Sequence, residues 1–93
     1  MLELSKTEKA AICEDFAKRM PELRKMMRIT QQKLGELCGY SRIRISNIET
    51  GREKLSWHQL MSIALVFIVN TAVKEYMDSQ GILDKRFYGY ITR

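Results

Sequence analysis

Ninety-three residues, 45% of them apolar, suffice for one small domain with a modest core and leave little room for a separate ligand-sensing module. Two cysteines and a single histidine are too few, and wrongly spaced, for a structural zinc site, so no metal and no cofactor is expected. The net charge of +5 is unevenly placed: ten Lys or Arg against four Glu lie between Lys18 and Lys54, which predicts a positive surface facing an anionic partner.

Ser5-Lys6-Thr7-Glu8 has the Ser-x-x-Glu form of a capping box and opens a helix. Ala10, Ile12, Cys13, Phe16, Ala17 and Met20 follow at helical spacing. Pro21 ends that helix, starts the next, or kinks a single one. Leu23, Met26 and Met27 form the inner face of a short helix ending near Arg28-Ile29. Thr30 caps a helix from Gln31 to Cys38 with Leu34 and Leu37 inward. Gly35 lies inside it at a cost of roughly 1 kcal/mol relative to alanine, which close approach of a neighbouring helix would explain. Gly39 supplies a left-handed C-cap. Ser41 then caps a helix from Arg42 to Glu49, with Ile45 and Ile48 buried and Gly51 ending it.

Ser56-Trp57-His58-Gln59 is a second capping box, opening a helix with Leu60, Ile63, Ala64 and Phe67 inward. No glycine or proline interrupts 56–80, and Asn70-Thr71 is the plausible break, so this stretch is one long helix or two. After Gly81 the tail mixes aromatic and basic residues, and Arg86 to Ile91 reads as a short strand. Phe87, Tyr88 and Tyr90 either fold back on the bundle or enter a subunit interface, the second being favoured. Trp57 is read as core, and Cys13 and Cys38, on apolar helical positions, as buried reduced thiols. The opening MLELSKTEK lacks the apolar core of a signal peptide, and the ten residues Leu60 to Val69 are too few to span a bilayer. A cytoplasmic protein without membrane contact is expected. No nucleophile with a base at useful spacing and no glycine-rich phosphate loop occurs, which argues against an enzyme.

Between Thr30 and Gly51, two short amphipathic helices are joined by a three-residue turn containing glycine, the layout of a DNA-binding helix-turn-helix. Arg42 has the planar fork that holds O6 and N7 of a guanine, and Asn47 suits N6 and N7 of an adenine. A phosphate clamp is the alternative role for Arg42, and Asn47 is alternatively an unengaged surface amide. Ile43 stays exposed because Ile45 and Ile48 already fill the inner face; it meets a thymine methyl or packs against the turn.

Leu23-Arg24, Thr30-Gln31, Leu34, Gly39, Ser41, Ile45, Ile48-Glu49 and Gly51 resemble, in a single register, the Cro/C1-type helix-turn-helix family of phage repressors, bacterial regulators and many antitoxins. The similarity covers Pro21 to Phe67. It implies an all-α, lambda-repressor-like bundle of about five helices that binds double-stranded DNA as a symmetric dimer, here with an extra N-terminal helix over 1–20, the bundle over 21–80 (helix-turn-helix 31–49) and a short tail over 81–93. By position, the resemblance makes Arg42, Ile43, Ser46 and Asn47 base contacts. It makes Gln31, Arg44, Thr50, Arg52 and Lys54 backbone contacts. Lys33, where relatives often carry an acidic residue, is read as a further phosphate contact. Arg24 and Glu49 match a pair that ties the first helix to the recognition helix in some relatives.

The expected function is that of a sequence-specific, dimeric transcriptional regulator, in most cases of this kind a repressor. The alternative is an antitoxin-type interaction protein whose flanks bind a toxin or another protein. With the recognition face reserved for DNA, the homodimer is expected through residues 69–93, where Val73, Tyr76, Met77, Ile82, Leu83, Phe87 and Tyr90 supply apolar groups.

Overall fold

Each helix start written in the sequence is built as a cap. In the computed structural model, which describes residues 4–83 and 85–92, Ser5 Oγ accepts the Glu8 N–H at 3.1 Å while the Glu8 carboxylate accepts the Ser5 N–H at 3.0 Å. Thr30, Ser41, Ser56 and Asn70 cap the next four helices in the same manner, each side-chain oxygen accepting an N–H three residues on. The elements are α1 (Lys6–Met27), α2 (Gln31–Cys38), α3 (Arg42–Thr50), α4 (Trp57–Ile68), α5 (Thr71–Gln80) and α6 (Lys85–Thr92). The chain is all-α, and no strand occurs among the described residues.

Pro21 neither ends nor starts a helix: α1 runs through it. Proline removes one rung of the ladder at a cost of about 3 kcal/mol. Against that, the stripe of Ile12, Cys13, Phe16, Ala17, Met20 and Leu23 stays buried on both sides of it, packed on α3, α4 and α5. Asn70 does break the later stretch. Its side chain accepts the Val73 N–H at 3.0 Å, and α5 leaves α4 at 118°. No single helix among the described residues is long and apolar enough to cross a membrane.

The core joins Phe16, Met20 and Leu23 of α1 to Leu34, Ile45, Ile48, Leu60, Ile63, Phe67 and Met77, all within 1% of complete burial. Two residues assigned to inner faces lie outside it, since Met26 is 43% and Leu37 51% exposed. The buried stripe of α2 passes through Leu34 and Gly35 toward Cys38, and that of α1 through Leu23 toward Met27. Leu37 and Met26 directly precede Cys38 and Met27, so they point about 100° around the helix from them.

The tail differs most from expectation. Arg86 to Ile91 is not a strand but most of α6. Phe, Tyr, Ile and Thr have the β-propensity that suggests a strand, yet Phe87, Tyr90 and Ile91 stand at i, i+3 and i+4, and that spacing prevails. Phe87 is 1% exposed and meets the Trp57 ring edge-on at 5.9 Å, with Tyr90 at 5.5 Å from the same ring. Lys9 Nζ lies over both Trp57 and Tyr90, at 5.3 and 4.9 Å from the ring centroids. Val73, Met77, Ile82, Leu83 and Phe87, counted above toward an intersubunit surface, all lie in the protein's own core.

Candidate nucleic-acid interface

Gly35 sets the geometry of the turn. A Cβ built there would lie 2.3 Å from the carbonyl oxygen of Tyr40, so the close neighbour is the turn's own backbone and not an adjacent helix, as the sequence had suggested. Gly39 takes the left-handed conformation (φ 84°), and the N–H groups of Gly39 and Tyr40 both donate to Gly35 O at 2.8 Å. The chain thus folds back over the one α2 residue that lacks a side chain. Ser41 immediately restarts a helix, its Oγ accepting the Arg44 N–H at 3.1 Å.

α3 is held from behind. Ile45 and Ile48 are at most 1% exposed, and the helix packs on α2 and α1. Near its end Glu49, with a side chain only 4% exposed, accepts a bidentate pair from Arg24: Nε to Oε2 at 2.6 Å and a terminal nitrogen to Oε1 at 2.9 Å. Gln31 Nε2 adds a third bond to Glu49 Oε1 at 3.0 Å, and Arg24 also donates to Ile29 O at 3.2 Å. One carboxylate therefore joins α1, α2 and α3. The pair fixes the angle at which α3 is presented.

The outward side of α3 carries Arg42, Ile43 and Arg44, all exposed, with Ser46 and Asn47 half-buried beside them. Ile43 is 63% exposed, so most of its apolar surface faces solvent. The cations of this region differ in their partners. Lys18, Arg19, Lys74 and Arg86, elsewhere on the protein, are ion-paired. Lys33, Arg42, Arg52 and Lys54 are exposed and have no ion pair among the described residues, which is also true of Lys6, Lys25, Arg28 and Lys85 away from α3. Unpaired cations on an exposed face leave the surrounding potential positive and their donors available to an anion.

Three of the assigned contact residues are engaged within the protein: Gln31, through its bond to Glu49, and Arg44 and Thr50. Arg44 Nε lies 3.5 Å from Glu53 Oε2, which also accepts Gln59 Nε2 at 3.2 Å. Thr50 donates its hydroxyl to Ser46 O at 2.9 Å, so it must turn before it can donate to a phosphate. The Gln59–Glu53–Arg44 chain was not foreseen. Its one signal in the sequence is Gln59 as the fourth residue of the Ser56 capping box, which places its side chain near the loop after α3.

No group of three or more His, Cys, Asp or Glu among the described residues could hold a metal ion. Burial pushes the Cys13 and Cys38 thiols up to about 11, which keeps both protonated and poor nucleophiles. A helix-turn-helix family model matches residues 22–81, more than half of the chain. No curated protein and no solved structure matches it.

Proposed function

The chain belongs to the Cro/C1-type helix-turn-helix family of DNA-binding regulators, and we propose that it is a sequence-specific transcriptional repressor reading the major groove with α3. The observation that carries this reading is the exposed row on α3: a cation with no ion pair among the described residues, Arg42, next to an aliphatic side chain 63% exposed, Ile43. An isolated exposed isoleucine leaves apolar area in water, and a thymine methyl covers it; a free guanidinium fork beside it matches a guanine edge. Ser46 and Asn47, one turn along, extend the row toward the following base pairs. Gln31, Lys33, Arg44, Thr50, Arg52 and Lys54 would flank it with phosphate contacts, which set register without reading sequence.

One helix of this length reads only a few base pairs, so genomic specificity calls for a second reading head. Two copies related by a two-fold axis supply it, with recognition helices about one DNA turn (~34 Å) apart. Arg42→Ala tests the base assignment. It is expected to weaken the preferred site by roughly 1–3 kcal/mol and to relax selection at one position. Equal weakening on every sequence would make Arg42 a phosphate contact.

A further inference from the structure

α1 faces the end of α3 with small side chains. Ala10, Cys13 and Ala17 stand three and four residues apart on one side of α1, and across from them run the last residues of α3 and the loop that leads to α4. None of the three is long enough to fill the space between, and a cleft of about 270 Å³ stays open there, lined also by the buried Ile48 and Leu55. Ligand pockets run from roughly 300 to 1,000 Å³, so the occupant of this one is small.

Charge decides its chemistry. Five charged side chains line the cleft, and four of them are neutralised within the protein. Glu14 pairs with Lys18 at 3.3 Å, Glu49 holds Arg24, and Glu53 holds Arg44. Lys54, the fifth, is exposed and has no ion pair among the described residues. An aliphatic cleft whose one uncompensated charge is positive selects a molecule with an apolar body and a single negative group. Resting on the reading of the chain as a DNA-binding regulator, we propose that this cleft binds a small monocarboxylate with an apolar body, its carboxylate on the Lys54 ammonium and its body against Cys13, Ala17 and Ile48. The same lysine is assigned above to a phosphate of the duplex. One ammonium cannot serve both anions fully, so the ligand weakens duplex binding and the duplex weakens ligand binding by an equal factor. A chemical signal then reaches the DNA-binding surface without a separate sensing domain, because one wall of the cleft is the end of α3 itself.

Calorimetric titration of the full chain with naphthoate, in the absence of DNA, tests the site on wild type, Ala10→Leu, Lys54→Met and Lys85→Met. All three positions are exposed, so the variants are expected to melt with wild type. Wild type and Lys85→Met, altered on α6, are expected to bind naphthoate alike. Lys54→Met is expected to bind it about fivefold more weakly, the usual upper limit for an exposed ion pair. Ala10→Leu, whose side chain enters the cleft, is expected to lose about tenfold or more. The uncharged naphthamide is expected to bind wild type and Lys54→Met equally. No saturable binding at millimolar naphthoate, equal affinity of Ala10→Leu and wild type, or naphthylmethylamine bound as tightly as naphthoate would each overturn the proposal. Duplex binding at low salt, with and without saturating naphthoate, reads the competition. A loss of up to about fivefold is expected for wild type and none for Lys54→Met, and an unchanged wild-type affinity would overturn the shared use of Lys54. A wild type that binds no duplex at any salt contradicts the DNA-reading account, while the calorimetry still decides the cleft.

Discussion

Removing either member of the Arg24–Glu49 pair tests how the recognition helix is held, and the two removals are not equivalent. Breaking a buried pair costs roughly 3–5 kcal/mol because the remaining charge is stranded. After Glu49→Ala the stranded group is Arg24, whose side chain is 14% exposed and keeps its bond to Ile29 O, so water and that carbonyl recover part of the loss. About 3 kcal/mol is expected. After Arg24→Met the stranded group is Glu49, 4% exposed and left with the single Gln31 amide, and the cost approaches the upper end. For a domain of this size each kcal/mol moves the melting temperature by about 4–8 °C, so the first variant is expected to melt about 12–24 °C lower and the second lower still. The double variant Arg24→Met with Glu49→Leu removes both charges and is expected to recover most of the loss. Urea and thermal unfolding followed by circular dichroism provide the values. A change below about 1 kcal/mol for both single variants, or the opposite order, would refute the burial argument.

Gly35→Ala would normally favour a helix by about 1 kcal/mol. Here the new methyl meets Tyr40 O, so a net loss of roughly 1–2 kcal/mol and weaker duplex binding are expected; a stabilised variant would show that the turn yields without cost. Lys33→Ala is expected to weaken binding to all sequences about equally and to lower the salt slope by about 1, read by fluorescence anisotropy at several salt concentrations. Because burial raises both thiols to about 11, Ellman's reagent at pH 8 is expected to label the native protein about a hundredfold more slowly than the urea-unfolded chain. Equal rates would place the cysteines at the surface.

Most of the fold was legible because its signals are local. Thr30, Gly39, Ser41, Ser56 and Gly51 each specify a cap whose hydrogen bond spans a few residues, and each marks the end of a helix. What failed depends on contacts distant in sequence. Nothing near Pro21 reveals that the stripe beyond it stays in register against α4. Nothing in Arg86 to Ile91 announces that Trp57, thirty residues earlier, offers a ring for Phe87 and Tyr90. At the candidate interface the residue types on α3 could be read from spacing alone. The Glu53 link between Gln59 and Arg44 could not, because it depends on how the loop after α3 closes toward α4.

The central claim is that α3 reads base sequence, and selection from a pool of random DNA duplexes tests it most directly. Enrichment of a short motif repeated about one helical turn apart in inverted orientation is expected. The enriched duplex is expected to bind about a thousandfold or more tighter than scrambled DNA, with affinity falling with salt at a log–log slope of about −3 to −4 per subunit if Lys33, Arg44, Arg52 and Lys54 all meet phosphates. A pool that stays random after repeated rounds, with binding that depends on salt but not on sequence, would contradict it.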